Sequence, residues 1–170
     1  PGELAPDARR WWRTRREFFA EIADYMEESV RMARLVIAVS RTVRDDLVAA
    51  FGVAPEKVRV VYHGVRDGLR RVDAGACGVV SAAYGLRAPY WLYVGSLDTN
   101  KNLHTLLEGH ARYRQRGGKG VLAIAGRSMV YGGMLRQHAT KLGLGDTVLF
   151  LGYVPDADLP ALYSAAAGVV

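Results

Sequence analysis

One unit recurs three times in the second half of the chain and limits what it can fold into. YWLYV (90–94) runs into Gly95, VLAIA (121–125) into Gly126, and TVLFL (147–151) into Gly152. Each run is short, apolar and rich in aromatic or β-branched residues, as a strand buried on both faces requires. Helical patterns fill the gaps, over about Leu103–Arg116, Tyr131–Leu142 and Ala157–Ala166, and Gly168-Val169-Val170 reads as the start of another strand. Strands alternating with helices specify a parallel sheet, because parallel neighbours need a crossover between them. The three glycines then gather at the carboxyl rim of one sheet, where open α/β sheets bind ligands. Glycine also ends strands merely to make tight turns, and both readings stand at this point.

The first corner points to a particular ligand. In YWLYVGSLDTNKN a strand ends in glycine and opens through a polar loop onto Lys101, Asn102 and a helix. The backbone can approach closely at Gly95, free N–H groups face outward at the helix start, and Lys101 adds positive charge, so an anion is expected here, a diphosphate above all. Asn102 is also a candidate N-cap for the helix. The stretch is not a phosphate-binding P-loop, which needs a glycine before the lysine and Ser or Thr after it.

The first half is organised differently. Residues 7–35 read as one long amphipathic helix with Trp11, Phe18, Ile22, Tyr25, Met26, Val30 and Ala33 on one face. Its segment Arg9–Phe19 packs arginines among aromatics, as a helix on an anionic membrane surface does, although a helix packed on its own domain with a solvated basic side is the plainer reading. Leu35–Val39 reads as a strand. Thr42 with Asp45 matches a capping box, and the helix it opens stops at Gly52, with Pro55 beyond. Lys57–Tyr62 is the next strand, followed by His63. From Arg66 to Pro89 the periodicity fades, leaving a linker with a short helical piece near Val79–Tyr84. The chain divides accordingly into residues 1–65, a linker 66–88, and 89–170.

Charge and cysteine content narrow the function classes. The net charge of +6 favours anionic partners. Nucleic acid is not expected, because aromatic and basic residues are not interleaved along a strand. The single cysteine, Cys77, excludes an internal disulfide or a cysteine-based zinc site and fits a reducing cytoplasm. No apolar run reaches membrane-spanning length, and the start of the chain carries no secretory signal pattern. Asp156-Ala157-Asp158 spells a metal-binding D-x-D, but at a helix start, where acids suit the dipole. His104, His110 and His138 lie on helices without ligand spacing. No metal is therefore expected.

Together, VIAVSRTVRDDL, EKVRVVYHGV, YVGSLDTNKNLHTLLEG, LAIAG and VLFLGYVPDADLPALYSAAAGVV resemble, in order, the group 1 glycosyltransferases of the GT-B fold. The resemblance implies an α/β fold with parts of two Rossmann-like lobes. Residues 1–65 correspond to the end of the N-terminal acceptor lobe, 66–88 to the interlobe linker, and 89–170 to the first half of the donor lobe. It implies retaining, metal-independent transfer of a hexose-type sugar from a nucleotide-diphosphate-sugar, with no cofactor, in polysaccharide or glycolipid synthesis. The family's glycine-rich acceptor loop and its acidic motif of two glutamates fall outside the matching stretches, so the chain alone is expected to be an inactive internal fragment.

The same resemblance assigns the site. The family's run G-R-L-x-x-x-K becomes Gly95-Ser96-Leu97-Asp98-Thr99-Asn100-Lys101, so the lysine is kept as diphosphate stabiliser and the arginine is replaced by Ser96. Arg127, just after Gly126, is the candidate substitute. Gly152-Tyr153-Val154 matches the stretch whose backbone meets the nucleotide base. The donor-binding set is then Gly95, Ser96, Asn100, Lys101, Asn102, Gly126, Arg127, Gly152, Tyr153 and Val154, with no further residue assigned to the chemical step. His63 faces the cleft only under the resemblance. The missing arginine keeps a second reading open, a non-catalytic module that binds a nucleotide-sugar or a membrane surface.

Overall fold

Alternation within each apolar run decides which layer its side chains meet. In VLAIA, Leu122 and Ile124 point into one core, and Ala123 and Ala125 into another. The computed structural model describes residues 22–87, 89–127 and 131–170. The chain forms two units that divide between Val65 and Arg66.

In the first unit, residues 22–32 are helical (α1), and β1 (Val36–Ala38), α2 (Arg41–Phe51) and β2 (Val58–Val60) follow. The two strands pair in parallel with Val36 opposite Val58. Val30, Ala38, Val53 and Val58 form the core. Of the expected apolar face of α1, Val30 is buried whereas Tyr25 and Met26 are exposed. Arg9–Phe19 lies outside the described residues. The helix start differs from the expected capping box at Thr42. Ser40 has extended backbone and its hydroxyl accepts from the Val43 N–H at 3.1 Å, so α2 begins at Arg41. A serine at N-cap satisfies an orphan helix donor directly.

The second unit opens with more order than its fading periodicity suggested. Asp73 caps α3 (Ala74–Ala83), which is longer than the short piece expected near Val79–Tyr84. Its alanines, glycines and valines carry too little amphipathic contrast to show a helical period. Residues 66–88 thus include a helix that packs against the second unit. β3 (Tyr90–Val94), α4 (Leu103–Gln115), β4 (Val121–Ala125), α5 (Tyr131–Lys141), β5 (Val148–Gly152), α6 (Leu159–Ala165) and β6 (Gly168–Val169) complete it.

All neighbouring strands are parallel, in the order β5-β4-β3-β6. Leu103, Leu107, Leu135 and Ala139 bring α4 and α5 onto one side with Leu122 and Ile124. On the other side Leu162 of α6 packs with Tyr90, Leu92, Ala123 and Ala125, and α3 packs on α6. The Tyr90 hydroxyl, fully buried, donates to the Leu162 carbonyl at 2.8 Å. This is the two-sided burial that continuous apolar strands demand. No described helix is long and apolar enough to cross a membrane.

Two predictions follow from this packing. A Cβ on Gly126 would lie 1.8 Å from the Gly95 carbonyl oxygen, a clash between backbones that no rotamer relieves. Gly126→Ala is expected to destabilise the unit by at least the ~1–3 kcal/mol typical of overpacking. Gly133→Ala, on an exposed face of α5 with open space around it, should be neutral or stabilising by up to about 1 kcal/mol. Urea unfolding of both variants reads the contrast.

The second concerns pH. His110 is buried and donates from Nε2 to the Thr147 carbonyl at 3.0 Å. Burial holds its imidazole below the ordinary histidine range, outweighing that hydrogen bond, and nearby Arg114 pushes the same way. Burial lowers His104 too, with His138 reinforcing it. The unfolded chain therefore takes up protons before the folded one. Stability should be level above roughly pH 7 and fall as pH drops below about 6.5, the unfolded histidine value. Thermal midpoints from pH 8 to 5 check this, and a midpoint that rises on acidification through that window contradicts it.

Candidate functional site

The parallel ladder runs past the strand ends and binds the three corners to one another. The Gly95 N–H donates to the Ala125 carbonyl at 3.0 Å, the Gly126 N–H to the Gly152 carbonyl at 2.7 Å, and the Leu97 N–H to the Arg127 carbonyl at 3.1 Å. Gly95, Gly126 and Gly152 thus stand side by side on one carboxyl rim. The strand order adds a direction. From β3 the chain steps outward to β4 and β5, then returns to the other side of β3 as β6. Open α/β sheets bind ligands at such a reversal, which here falls at the end of β3, where Gly95 sits.

Lys101 closes a 3₁₀ turn, Thr99–Lys101, and is exposed, with no ion pair among the described residues. Its ammonium is free for an outside anion. Asn100 is exposed in the same turn. Ser96 is exposed too, and its carbonyl accepts from the Tyr93 hydroxyl at 3.0 Å, which braces the loop.

Asn102 departs from the expected role. It occupies the N-cap position of α4, but its backbone is left-handed (φ 50°, ψ 38°) and its side chain caps no backbone N–H. Its Oδ1 accepts instead from the Thr105 hydroxyl at 3.0 Å. Ordinary N-caps have extended backbone, which aims the side chain at the helix amides; the left-handed turn removes that aim. The first turn of α4 is left without a side-chain cap next to Lys101.

Arg127 and Tyr153, both assigned from sequence, meet each other. The guanidinium lies 4.4 Å from the Tyr153 ring centroid, a cation–π contact on neighbouring corners. Arg127 therefore holds a positive charge at the rim, engaged with Tyr153. Tyr153 is exposed, whereas the Val154 side chain is buried in the core shared with Leu162. Val154 offers a ligand only backbone. His63 belongs to the first unit, on exposed chain after β2.

Both acids of Asp156-Ala157-Asp158 are engaged. Asp156 pairs with Arg66, and Asp158 accepts from the Tyr84 hydroxyl at 2.7 Å. Among the described residues no three His, Cys, Asp or Glu side chains are arranged to hold a metal ion. A hollow of about 530 Å³ bordered by Arg71, Cys77, Ser81 and Tyr90 opens between α3 and α6, away from Lys101 and the three glycines.

One group at the rim has no motif. His104, in the first turn of α4, meets Tyr131, the first residue of α5, with Nδ1 2.5 Å from the hydroxyl. His138 and Glu108 lie beside them. The pair is 27 positions apart in sequence; a clue in the chain is that each residue lies in the first turn of a helix that follows a glycine corner.

Comparison with known proteins agrees with this arrangement. A family model described as glycosyl transferases group 1 matches residues 83–170, and one described as glycosyltransferase family 4 matches residues 3–68. Mannosylfructose-phosphate synthase of Agrobacterium fabrum is 28% identical over 144 residues, covering 80% of this chain and 32% of that protein. The O-antigen chain mannosyltransferase RfbU of Salmonella typhimurium is 27% identical over 147 residues, covering 85% and 37%. The crystal structure of Anabaena Alr3699/HepE in complex with UDP and glucose superposes with a TM-score of 0.70 at 26% identity, over 83% of this chain and 38% of that one. The chain thus spans about a third of the length of these relatives. Parallel sheets, paired glycine corners and the family matches over both units establish that the chain belongs to the group 1 glycosyltransferases, with the α/β architecture of GT-B enzymes.

Proposed function

We propose that this chain supplies part of the donor site of an enzyme that transfers a hexose-type sugar from a nucleotide-diphosphate-sugar, with retention and without a metal. The observation that carries the proposal is the rim itself. Three glycine corners lie hydrogen-bonded in a row at a reversal of strand order, with an exposed ammonium on the first corner that has no ion pair among the described residues. A solved relative of the same architecture holds UDP and glucose.

The chemistry follows from where charge grows. Breaking the bond between sugar and diphosphate builds negative charge on the leaving oxygen. A fixed cation and outward N–H groups stabilise that charge more in the transition state than in the ground state. Lys101 supplies the cation, the uncapped first turn of α4 the N–H groups and its dipole. Ser96 supplies no second charge. Arg127 stands at the neighbouring corner but engages Tyr153, so a diphosphate has to draw it from the ring or bind beside the stacked pair. Retention requires groups beyond this rim and belongs to the longer protein. In this reading residues 1–65 belong to the acceptor lobe, 66–88 lead between lobes and 89–170 begin the donor lobe. The acceptor belongs to polysaccharide or glycolipid synthesis, and a cytoplasmic location with docking on an anionic membrane through Arg9–Phe19 completes the proposal.

The Ser96 position and the Arg127–Tyr153 contact favour, as a second reading, a module that binds a nucleotide-sugar without transferring it. Binding is common to both readings, so it is tested first. UDP should bind the chain in calorimetry, and Lys101→Ala should weaken it by ~1–3 kcal/mol, as for one charge-assisted contact. Because Lys101 is exposed, the difference should shrink as salt is raised. Unchanged affinity in the variant removes Lys101 from the site. Chelation with EDTA should leave UDP affinity unaltered, and a loss restored by magnesium contradicts metal independence.

A further inference from the structure

The polar seam between α4 and α5 has no part in the chemistry above, yet it sits at the donor rim. Under it, Leu103, Leu107, Leu135 and Ala139 form an apolar contact. Over it, four polar side chains meet. His104 and Tyr131 join through Nδ1 and hydroxyl at 2.5 Å, with ring centroids 5.3 Å apart. The His138 ring centroid is 4.7 Å from that of His104, and Glu108 Oε1 is 3.8 Å from His138 Nε2. Burial keeps His104 in its neutral form and the Tyr131 phenol protonated. A neutral imidazole and a phenol share one proton across this contact, on the hydroxyl or on Nδ1 according to the tautomer.

We propose that His104 and Tyr131 are positioning residues for the donor rim: their hydrogen bond ties the first turn of α4 to the first residue of α5 and so fixes the lysine corner against the corner at Gly126. Asn102 gives that first turn no side-chain cap on a backbone N–H, and its two bonds with Thr105 stay within the start of α4 and make no link to α5. The apolar residues below set the distance between the helices but not the register of their first turns. Lys101 and the free amides of α4 are useful to a diphosphate only if they keep one place relative to the Gly126–Arg127 corner. The tie does this without touching the ligand. The role in ligand binding rests on the proposed donor site; the tie itself does not.

Three variants test it on the chain as it stands. Tyr131→Phe removes one oxygen. His104→Phe removes the ring nitrogen, and His104→Asn restores a hydrogen-bonding group at about the distance of Nδ1 from the backbone. Hydrogen exchange read at residues 103–107 and 131–135 should quicken several-fold in Tyr131→Phe and His104→Phe, return toward the parent in His104→Asn, and stay unchanged in β4. UDP affinity in calorimetry should fall roughly three- to tenfold in the first two variants, the size expected for one lost hydrogen bond, and recover in the third. Unaltered exchange in both disrupting variants overturns the tie. Unaltered UDP affinity in them, in a chain that Lys101→Ala weakens, overturns the positioning role. A parent chain that binds no UDP overturns the donor-site reading, and the positioning role with it, while exchange still decides whether the tie exists.

Discussion

Everything at the rim depends on the backbone ladder that continues beyond the strands. Parallel pairing ends at Val94 with Ala125 and at Ala125 with Gly152. The hydrogen bonds then carry on through Gly95, Gly126 and Leu97. For the corners to lie this close, Gly126 must lack a side chain, because the Gly95 carbonyl occupies the space a Cβ would fill. Backbone contact of this kind is stiff and costs little side-chain entropy. It lets weakly charged loops act as one surface, since no corner can move without breaking bonds to the next.

Charge at that surface is sparse and divided. Lys101 at the β3 corner makes no ion pair among the described residues, and Arg127 is held over Tyr153 at the next. An exposed ammonium in water contributes little alone, because solvent and salt screen it. It matters when a ligand covers it and when backbone donors face the same atoms. The helix start beside Lys101 carries no side-chain cap, and under the proposed function a side chain that satisfied those amides would compete with a phosphate for them. The pairings of Asp156 with Arg66 and of Asp158 with Tyr84 keep negative side chains occupied on the loop that follows Tyr153.

The fold of the second unit was legible because its strands are buried on both faces. YWLYV and VLAIA match β3 and β4 residue for residue, and TVLFL is displaced by one position, since Gly152 still pairs. The helix α3 was hidden by its own composition, a run of small residues with no polar face to mark a period. The cap of α2 was misplaced because Ser40 and Thr42 both suit an N-cap, and only the backbone dihedral separates them. The gathering of the three glycines on one rim, with Lys101 exposed beside the first, was legible in the strand-end pattern. The left-handed Asn102, the stacking of Arg127 on Tyr153 and the meeting of His104 with Tyr131 were not. Each depends on side chains brought together by the packing of separate elements, and local pattern carries no information about that.

Mapping UDP onto backbone amides decides whether the carboxyl rim or the hollow between α3 and α6 takes the donor. In a titration of the ¹⁵N-labelled chain, concerted shifts are expected at Gly95, Lys101, Leu103, Gly126 and Gly152, with the amides of α3 unmoved. Shifts confined to Cys77, Ser81 and their neighbours on α3 and α6, or no shifts at the glycine corners at saturating UDP, would contradict binding at the rim.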